Sequence, residues 1–347
     1  MTQRREKSDP VRVAVIGMGF MGRTHLASFS RIPHCRLAAV VDRDPGRLTG
    51  KPSSGGNIDT TDDAFIFDPS AVPVFQSVES MLAGCEFDLG VVTTPTPTHV
   101  EIALKLVEAG RHVLVEKPVS LDLESIATLD RAARDHDVIA MPAHCMRFWP
   151  AWAWMHDRIR DRAFGEVLRA TFRRTGAAPN WNPDFYGDPT RSGGAIVDLH
   201  IHDTDFVVHS FGPPVAVTSI GSRSNVRTIY HYEQGPQVEA VGAWLDAPDA
   251  VFTMEAEIEC EAGTISFALG RTPEIEVRTS DGGIIGHPEA SDGGTGYDVQ
   301  ARAIIDAIVR GAGDAPVTLS DATRAGTVLE REIESLESSG ERRTVTL

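Results

Sequence analysis

At 347 residues the chain exceeds the usual size of one hydrophobic core, so two domains are expected, and its 41% hydrophobic content is enough for both. Thirty-three basic against 49 acidic residues leave a formal charge of -16, a field that repels nucleic-acid phosphates and anionic membrane surfaces and excludes both as partners. The four cysteines, Cys35, Cys85, Cys145 and Cys260, have no short paired spacing, which argues against a thiolate metal site or a disulfide framework and fits a reducing cytoplasm.

Arg4 and Arg5 have the look of a twin-arginine export signal but lack its apolar stretch and cleavage site, because the first apolar run, 11–16, already predicts a strand. A glycine-rich turn and a helix at 21–29 follow, giving half of a βαβ unit. Apolar runs at 37–41, 89–93, 112–115 and 138–141 have the texture of buried parallel strands. Thr98 followed by Glu101 predicts a capping box for a helix running to Ala109, with Gly110 at its end, and a second helix spans 123–136. Alternating strands and helices predict a doubly wound α/β domain over residues 1–142. Between Asp42 and Pro73 the pattern fails; 51–57 is rich in Gly, Ser and Pro and predicts a long loop.

Residues 143–347 have a different texture. Strand-like segments at 167–174, 215–222, 238–245, 251–259, 264–268 and 274–279 are interrupted by one helix, at 195–211. Strands that follow one another without helices predict a mainly antiparallel sheet in an α+β domain. Helices near 299–310 and 322–336 close the chain, and no segment approaches the roughly 18 uninterrupted apolar residues of a membrane span.

The chemistry begins at Gly17-Met18-Gly19-Phe20-Met21-Gly22, a Gly-x-Gly-x-x-Gly pattern between the first strand and its helix, where it predicts dinucleotide binding. The first glycine permits the turn, the second admits pyrophosphate to the backbone, and the third lets the helix pack on the strand. Asp42 closes the second strand 20 residues after Gly22, placed to accept both ribose hydroxyls and to repel a 2′-phosphate, which favours NAD over NADP. Arg43 is the opposing signal, since it could neutralise that phosphate or lie against adenine.

Thr94, Pro95 and Pro97 follow one predicted strand and Glu116, Lys117 and Pro118 the next, so both clusters stand at the carboxyl edge where α/β sheets bind ligands. An isolated lysine at a loop start is ordinarily a solvated one; Lys117 earns attention by directly following a buried strand. In the second half, Gly193-Gly194 opens the helix bearing Asp198, His202 and Asp205, four and three residues apart and so on one helical face. A carboxylate beside an imidazole orients it and raises its basicity, which suits a general base. The plainer alternative is an acidic first turn with a surface histidine.

His200-x-His202 followed by Asp203 and Asp205 also looks like a metal-ligand cluster. On a helix the two imidazoles diverge by about 200°, so no metal is expected. Trp149, Trp152 and Trp154 predict packing at a domain junction rather than a sugar platform. Arg147 is a candidate pocket residue, with a structural ion pair as its alternative.

Taken together these residues resemble the glucose-fructose oxidoreductase and myo-inositol dehydrogenase family over nearly the whole chain. The matches are 15–22, Thr93-Thr94-Pro95 with His99, Glu116-Lys117-Pro118, and Gly193-Gly194 with Asp198, His202 and Asp205. The resemblance implies a Rossmann domain, a C-terminal open antiparallel sheet that commonly mediates homo-oligomerisation as a dimer or tetramer, and a sugar, inositol or related polyol as substrate. It also implies that Lys117, Asp198 and His202 surround the reacting carbon, with proton transfer divided differently among members. Hydride transfer between nicotinamide and a secondary hydroxyl or hemiacetal carbon follows. A glycosidase using NAD transiently and a non-catalytic dinucleotide sensor are the alternatives.

Overall fold

In the computed structural model, which describes residues 9–51, 67–180, 182–247, 249–286, 294–311 and 315–347, the apolar runs of the first half become strands. They are Val11–Ile16 (β1), Cys35–Val41 (β2), Val74–Phe75 (β3), Leu89–Val92 (β4), His112–Val115 (β5) and Ala140–Pro142 (β6). Helices alternate with them: Phe20–Ser30 (α1), Val78–Gly84 (α2), His99–Glu108 (α3) and Leu123–Asp135 (α4). The Gly- and Ser-rich stretch after Lys51 lies outside the described residues, so the expected loop there is not addressed.

The six strands are parallel, in the order β3-β2-β1-β4-β5-β6. Chain order therefore reverses between β1 and β4, the switch point outside whose carboxyl edge α/β sheets bind ligands. Val92 and Val115 from the sheet interior pack with Leu106 of α3 and with Ile126 and Leu129 of α4. Each is almost fully buried, worth about 1.5–3 kcal/mol of transfer free energy apiece.

The second half starts with helix Pro150–Arg160 (α5) and strand Val167–Ala177 (β7), followed by short helices Pro183–Tyr186 (α6), Pro189–Ser192 (α7) and Ala195–Asp198 (α8) and the longer Ile201–Phe211 (α9). Seven strands follow: Ala216–Ser222 (β8), Asn225–His231 (β9), Gln237–Leu245 (β10), Thr253–Cys260 (β11), Gly263–Ala268 (β12), Ile275–Thr279 (β13) and Ile284–Gly286 (β14). Helices Gly296–Arg310 (α10) and Leu319–Glu337 (α11) and strand Arg343–Thr344 (β15) end the chain.

Nine strands form one sheet in the order β14-β13-β12-β11-β7-β10-β9-β8-β15. All its pairings are antiparallel except β7 with β10. Strict alternation builds its two faces: in β11, Met254, Ala256, Ile258 and Cys260 are buried while Glu255, Glu257 and Glu259 face out. Trp152 of α5 is fully buried inside this unit, edge-on to Phe206 at 4.6 Å and Phe267 at 5.7 Å, so it is a core residue rather than a junction residue.

Two compact units result, residues 1–145 with 295–322, and residues 146–294 with 323–347. The sequence pattern had assigned 295–322 to the second domain. α10 instead completes the first, with Tyr297 edge-on to His25 at 6.0 Å and the Arg31 guanidinium 3.0 Å from Asp298. Asp298 also closes the capping box with Thr295 that starts α10. Among the described residues no helix is long and apolar enough to cross a membrane.

Candidate functional site

The glycine turn has the shape its pattern predicts. A Cβ on Gly22 would stand 1.9 Å from the Gly17 carbonyl oxygen, so α1 can pack this closely only with glycine there. A Cβ on Gly19 would meet nothing nearer than an Arg47 guanidinium nitrogen at 3.8 Å. The turn is thus tight on its protein side and open where a pyrophosphate would approach, and the amino end of α1, with Phe20 and Met21 in its first turn, faces that opening with no acidic residue there. These residues fit a dinucleotide.

Asp42 is 7% exposed at the end of β2, and its carboxylate accepts hydrogen bonds from the amides of Met18 at 2.7 Å and Asp44 at 2.9 Å. It therefore braces the glycine turn, and a carboxylate that accepts two amides still has lone pairs for further donors. Arg47 lies 3.8 Å from the carboxylate, and both it and Arg43 are exposed. Sequence reasoning missed Arg47; its one signal was lying in the turn capped by Asp44.

The carboxyl ends of β4 and β5 carry the next group. Thr93 donates to the Ile16 and Gly17 carbonyls at 3.0 and 2.6 Å, tying the β4 edge to the glycine turn ahead of Thr94 and Pro95. Thr98 does precede α3, but its hydroxyl makes no cap; it lies 2.8 Å from both the Thr94 hydroxyl and the Pro95 carbonyl oxygen. The expected capping box is absent because the preceding turn claims that hydroxyl.

His99 and Glu116 are buried, at 1% and 5% exposure, and their polar atoms are spent on the protein itself. His99 sets Nδ1 2.9 Å from the Pro118 carbonyl oxygen and Nε2 2.6 Å from that of Thr94. Glu116 meets His25 Nε2 of α1 at 2.7 Å through one oxygen and accepts the Lys117 amide at 3.1 Å through the other. Burial alone would raise the Glu116 pKa, but the His25 hydrogen bond and the charges of His25, Lys117 and His99 outweigh it and hold the carboxyl below its ordinary value. Both side chains thus fix the loops on which they stand.

In the second unit the expected helix over 195–211 is broken. Gly194 starts α8 at φ 81°, where an added Cβ would also lie 2.7 Å from the Arg223 carbonyl oxygen. Asp198 ends α8, Leu199 and His200 form the break, and His202 lies in the first turn of α9. Asp198 and His202 stay on one short segment, but not on one unbroken helical face. Asp205 is paired with Arg147, which grips it in a fork, Nε to Oδ2 at 3.0 Å and Nη2 to Oδ1 at 2.7 Å, realising the ion-pair alternative for Arg147. Asp203 is likewise held by Arg174, Nη2 to Oδ1 at 2.9 Å.

His200 turns into the core, its Nε2 3.2 Å from the Thr228 hydroxyl, 3.4 Å from Tyr230 and 3.4 Å from Glu332. Burial pushes its pKa down to about 4 and that of Glu332 up to about 8. The contact has ion-pair distance, yet burial favours the neutral form of each partner at neutral pH. Among the described residues no group of three or more His, Cys, Asp or Glu is placed to hold a metal ion.

Two family models match the chain. Residues 11–144 match the "Oxidoreductase family, NAD-binding Rossmann fold" and residues 152–285 the "GFO/IDH/MocA C-terminal domain". The chain is 26% identical over 285 residues to the inositol 2-dehydrogenase of Rhizobium meliloti (strain 1021), covering 78% of this chain and 80% of that one. Inositol 2-dehydrogenase 2 of Paenarthrobacter aurescens (strain TC1) is also 26% identical, over 95% of this chain and 97% of its own. A solved levoglucosan dehydrogenase, in complex with NADH and levoglucosan, shares the fold with a TM-score of 0.81 at 19% identity, covering 98% of this chain and 100% of that one.

Proposed function

Because this chain belongs to the GFO/IDH/MocA family of NAD-binding oxidoreductases, we propose that it oxidises a secondary hydroxyl or hemiacetal carbon of a sugar, inositol or related polyol. The observation that carries the reading is the pairing of an open glycine turn braced by Asp42 with a lysine whose own amide is fixed by a buried carboxylate. The names of the inositol dehydrogenase relatives support the substrate class. The chemistry a bound NAD would supply is a hydride acceptor for the carbon being oxidised.

The chain's own residues have the remaining task, removal of the hydroxyl proton. Lys117 and His202 are the proposed acceptors, and Asp198 is the proposed orienting partner of His202. Arg147 supports this arrangement through Asp205, holding α9 in place. The Asp42 carboxylate is the proposed selector of NAD over NADP, since a 2′-phosphate beside it would bring like charges together.

The outer face of the nine-stranded sheet is the proposed contact between copies in a homo-oligomer. Ile220 and Ile229 are exposed there by 48% and 36%, and Arg169, Arg227 and Glu239 line a groove of about 510 Å³. The four cysteines are free thiols, which suits a cytoplasmic setting.

The reading is tested with a panel of polyols and sugars in the presence of NAD. At least one compound should yield NADH mole for mole with its oxidation. Release of an aryl leaving group from a glycoside with no accumulating NADH would overturn the reading in favour of transient oxidation.

A further inference from the structure

His99 makes two contacts that an ordinary imidazole cannot both satisfy. A carbonyl oxygen only accepts, and both ring nitrogens face one: Nδ1 the Pro118 oxygen at 2.9 Å, Nε2 the Thr94 oxygen at 2.6 Å. A neutral imidazole carries one N–H, so in either tautomer a bare nitrogen lone pair would press against a carbonyl oxygen inside the protein. Only the imidazolium supplies two donors.

We infer that His99, protonated on both ring nitrogens, is a positioning residue that ties the loop after β4 to the loop after β5 and so fixes the backbone on which Lys117 stands. The two loops leave adjacent parallel strands at the edge facing the glycine turn, and among the described residues His99 is the side chain that hydrogen-bonds to the backbone of both. Glu116 completes the arrangement from the other side, its carboxylate holding the Lys117 amide and the His25 ring. Residues 116–118 are thus pinned by an anion at one end and a cation at the other.

The charged groups that bear on His99 pull in both directions. Burial, the largest influence, outweighs the Pro118 and Thr94 carbonyls and the Glu116 carboxylate and, with the Lys117 charge, holds its pKa below the ordinary value. Burial by itself favours the neutral ring. The distances favour the charged one, because a contact of 2.6 Å between two lone pairs is repulsive whereas charge-assisted N–H···O bonds are the shorter kind, ordinarily about 2.7–2.9 Å. The consequence for turnover rests on the proposed role of Lys117; the clamp itself does not.

The test reads the ring directly. Long-range ¹H–¹⁵N correlation of the ¹⁵N-labelled protein at pH 7, with the His99 signals assigned by their loss in His99→Gln, should find both nitrogens protonated, with and without NAD. One bare nitrogen would overturn the inference. Calorimetric titration with NAD then compares His99→Leu, which keeps bulk but donates nothing, with His99→Gln, which keeps one amide donor group. NAD should bind about tenfold more weakly to the leucine variant, with partial rescue by glutamine. Undiminished NAD affinity in a folded His99→Leu protein would refute the clamp; if that variant does not fold, the ring signals and His99→Gln decide. Turnover of Lys117→Met tests the underlying reading separately, since full activity there removes the role of Lys117 and leaves the His99 result standing.

Discussion

Arg147 and Asp205 form a fork pair with two parallel hydrogen bonds at 3.0 and 2.7 Å, their side chains only 8% and 1% exposed. Removing one partner from such a pair leaves a buried charge with nothing to balance it, at a cost of about 3–5 kcal/mol, whereas replacing both with apolar groups of similar volume is often neutral. Arg147→Met and Asp205→Leu alone should each lower the denaturation midpoint substantially, and the double variant should recover much of the loss. A double variant as unstable as the sum of the singles would mean the two charges are not coupled in the way the geometry requires.

Asp42 has two tasks, and they predict two effects of one change. Asp42→Ala should improve NADP binding relative to NAD by at least about tenfold, or 1.4 kcal/mol, because a like charge beside the 2′-phosphate is gone. It should also weaken both cofactors somewhat, because the Met18 amide loses its acceptor. The gain for NADP should depend on Arg47, which stands 3.8 Å from Asp42, rather than on Arg43. Titration of Asp42→Ala/Arg47→Ala and Asp42→Ala/Arg43→Ala with NADP separates them; loss of the gain only in the Arg43 pair would reverse the assignment.

Buried Glu332 and His200 predict a pH dependence of stability. Glu332 has a folded pKa of about 8 against an ordinary 4.5, so its contribution is full below about 4.5 and is lost as pH rises toward 8. His200 has a folded pKa of about 4 against 6.5, so its contribution is present above 6.5 and lost as pH falls through 4. From 4.5 to 6.5 the two slopes oppose each other. Between 6.5 and 8 only the Glu332 slope remains, so stability should fall over that range. Urea melts of the wild type and Glu332→Gln should show the fall in the first and a flattened profile in the second.

Much of this was legible in the sequence because it depends on local backbone chemistry. Gly17, Gly19, Gly22 and Asp42 announced the turn, and the apolar runs announced the parallel strands. Long-range pairing was less legible. The fork of Arg147 with Asp205 spans 58 residues, and the contact of His99 with the Pro118 carbonyl depends on which strands neighbour each other. Helical spacing suggested that Asp198, His202 and Asp205 share one face; it could not register the break at Leu199 and His200, where His200 is drawn into the core by Thr228. β9 escaped notice because Arg227, Thr228 and His231 dilute its apolar content, although Val226, Thr228 and Tyr230 are the buried positions of an alternating strand.

Lys117, Asp198 and His202 give the prediction that bears most directly on function. Loss of a hydride from a carbinol carbon must be accompanied by loss of the hydroxyl proton, so an acceptor for that proton lowers the barrier, whereas cofactor binding needs none. Lys117→Met and His202→Ala should therefore lower kcat for the best polyol of the panel by about 10² to 10⁴, while NAD affinity changes little. Asp198→Asn should cost less, because the amide preserves a polar partner while removing the charge. Residues that act as one unit are not additive, so Lys117→Met/His202→Ala should lose far less than the product of the single losses if the two share one proton transfer. Steady-state kinetics with NAD saturating, beside calorimetric NAD titration, supplies both quantities. Wild-type kcat in both single variants would end the proton-transfer assignment, and a parallel collapse of NAD affinity would reassign the residues to cofactor binding.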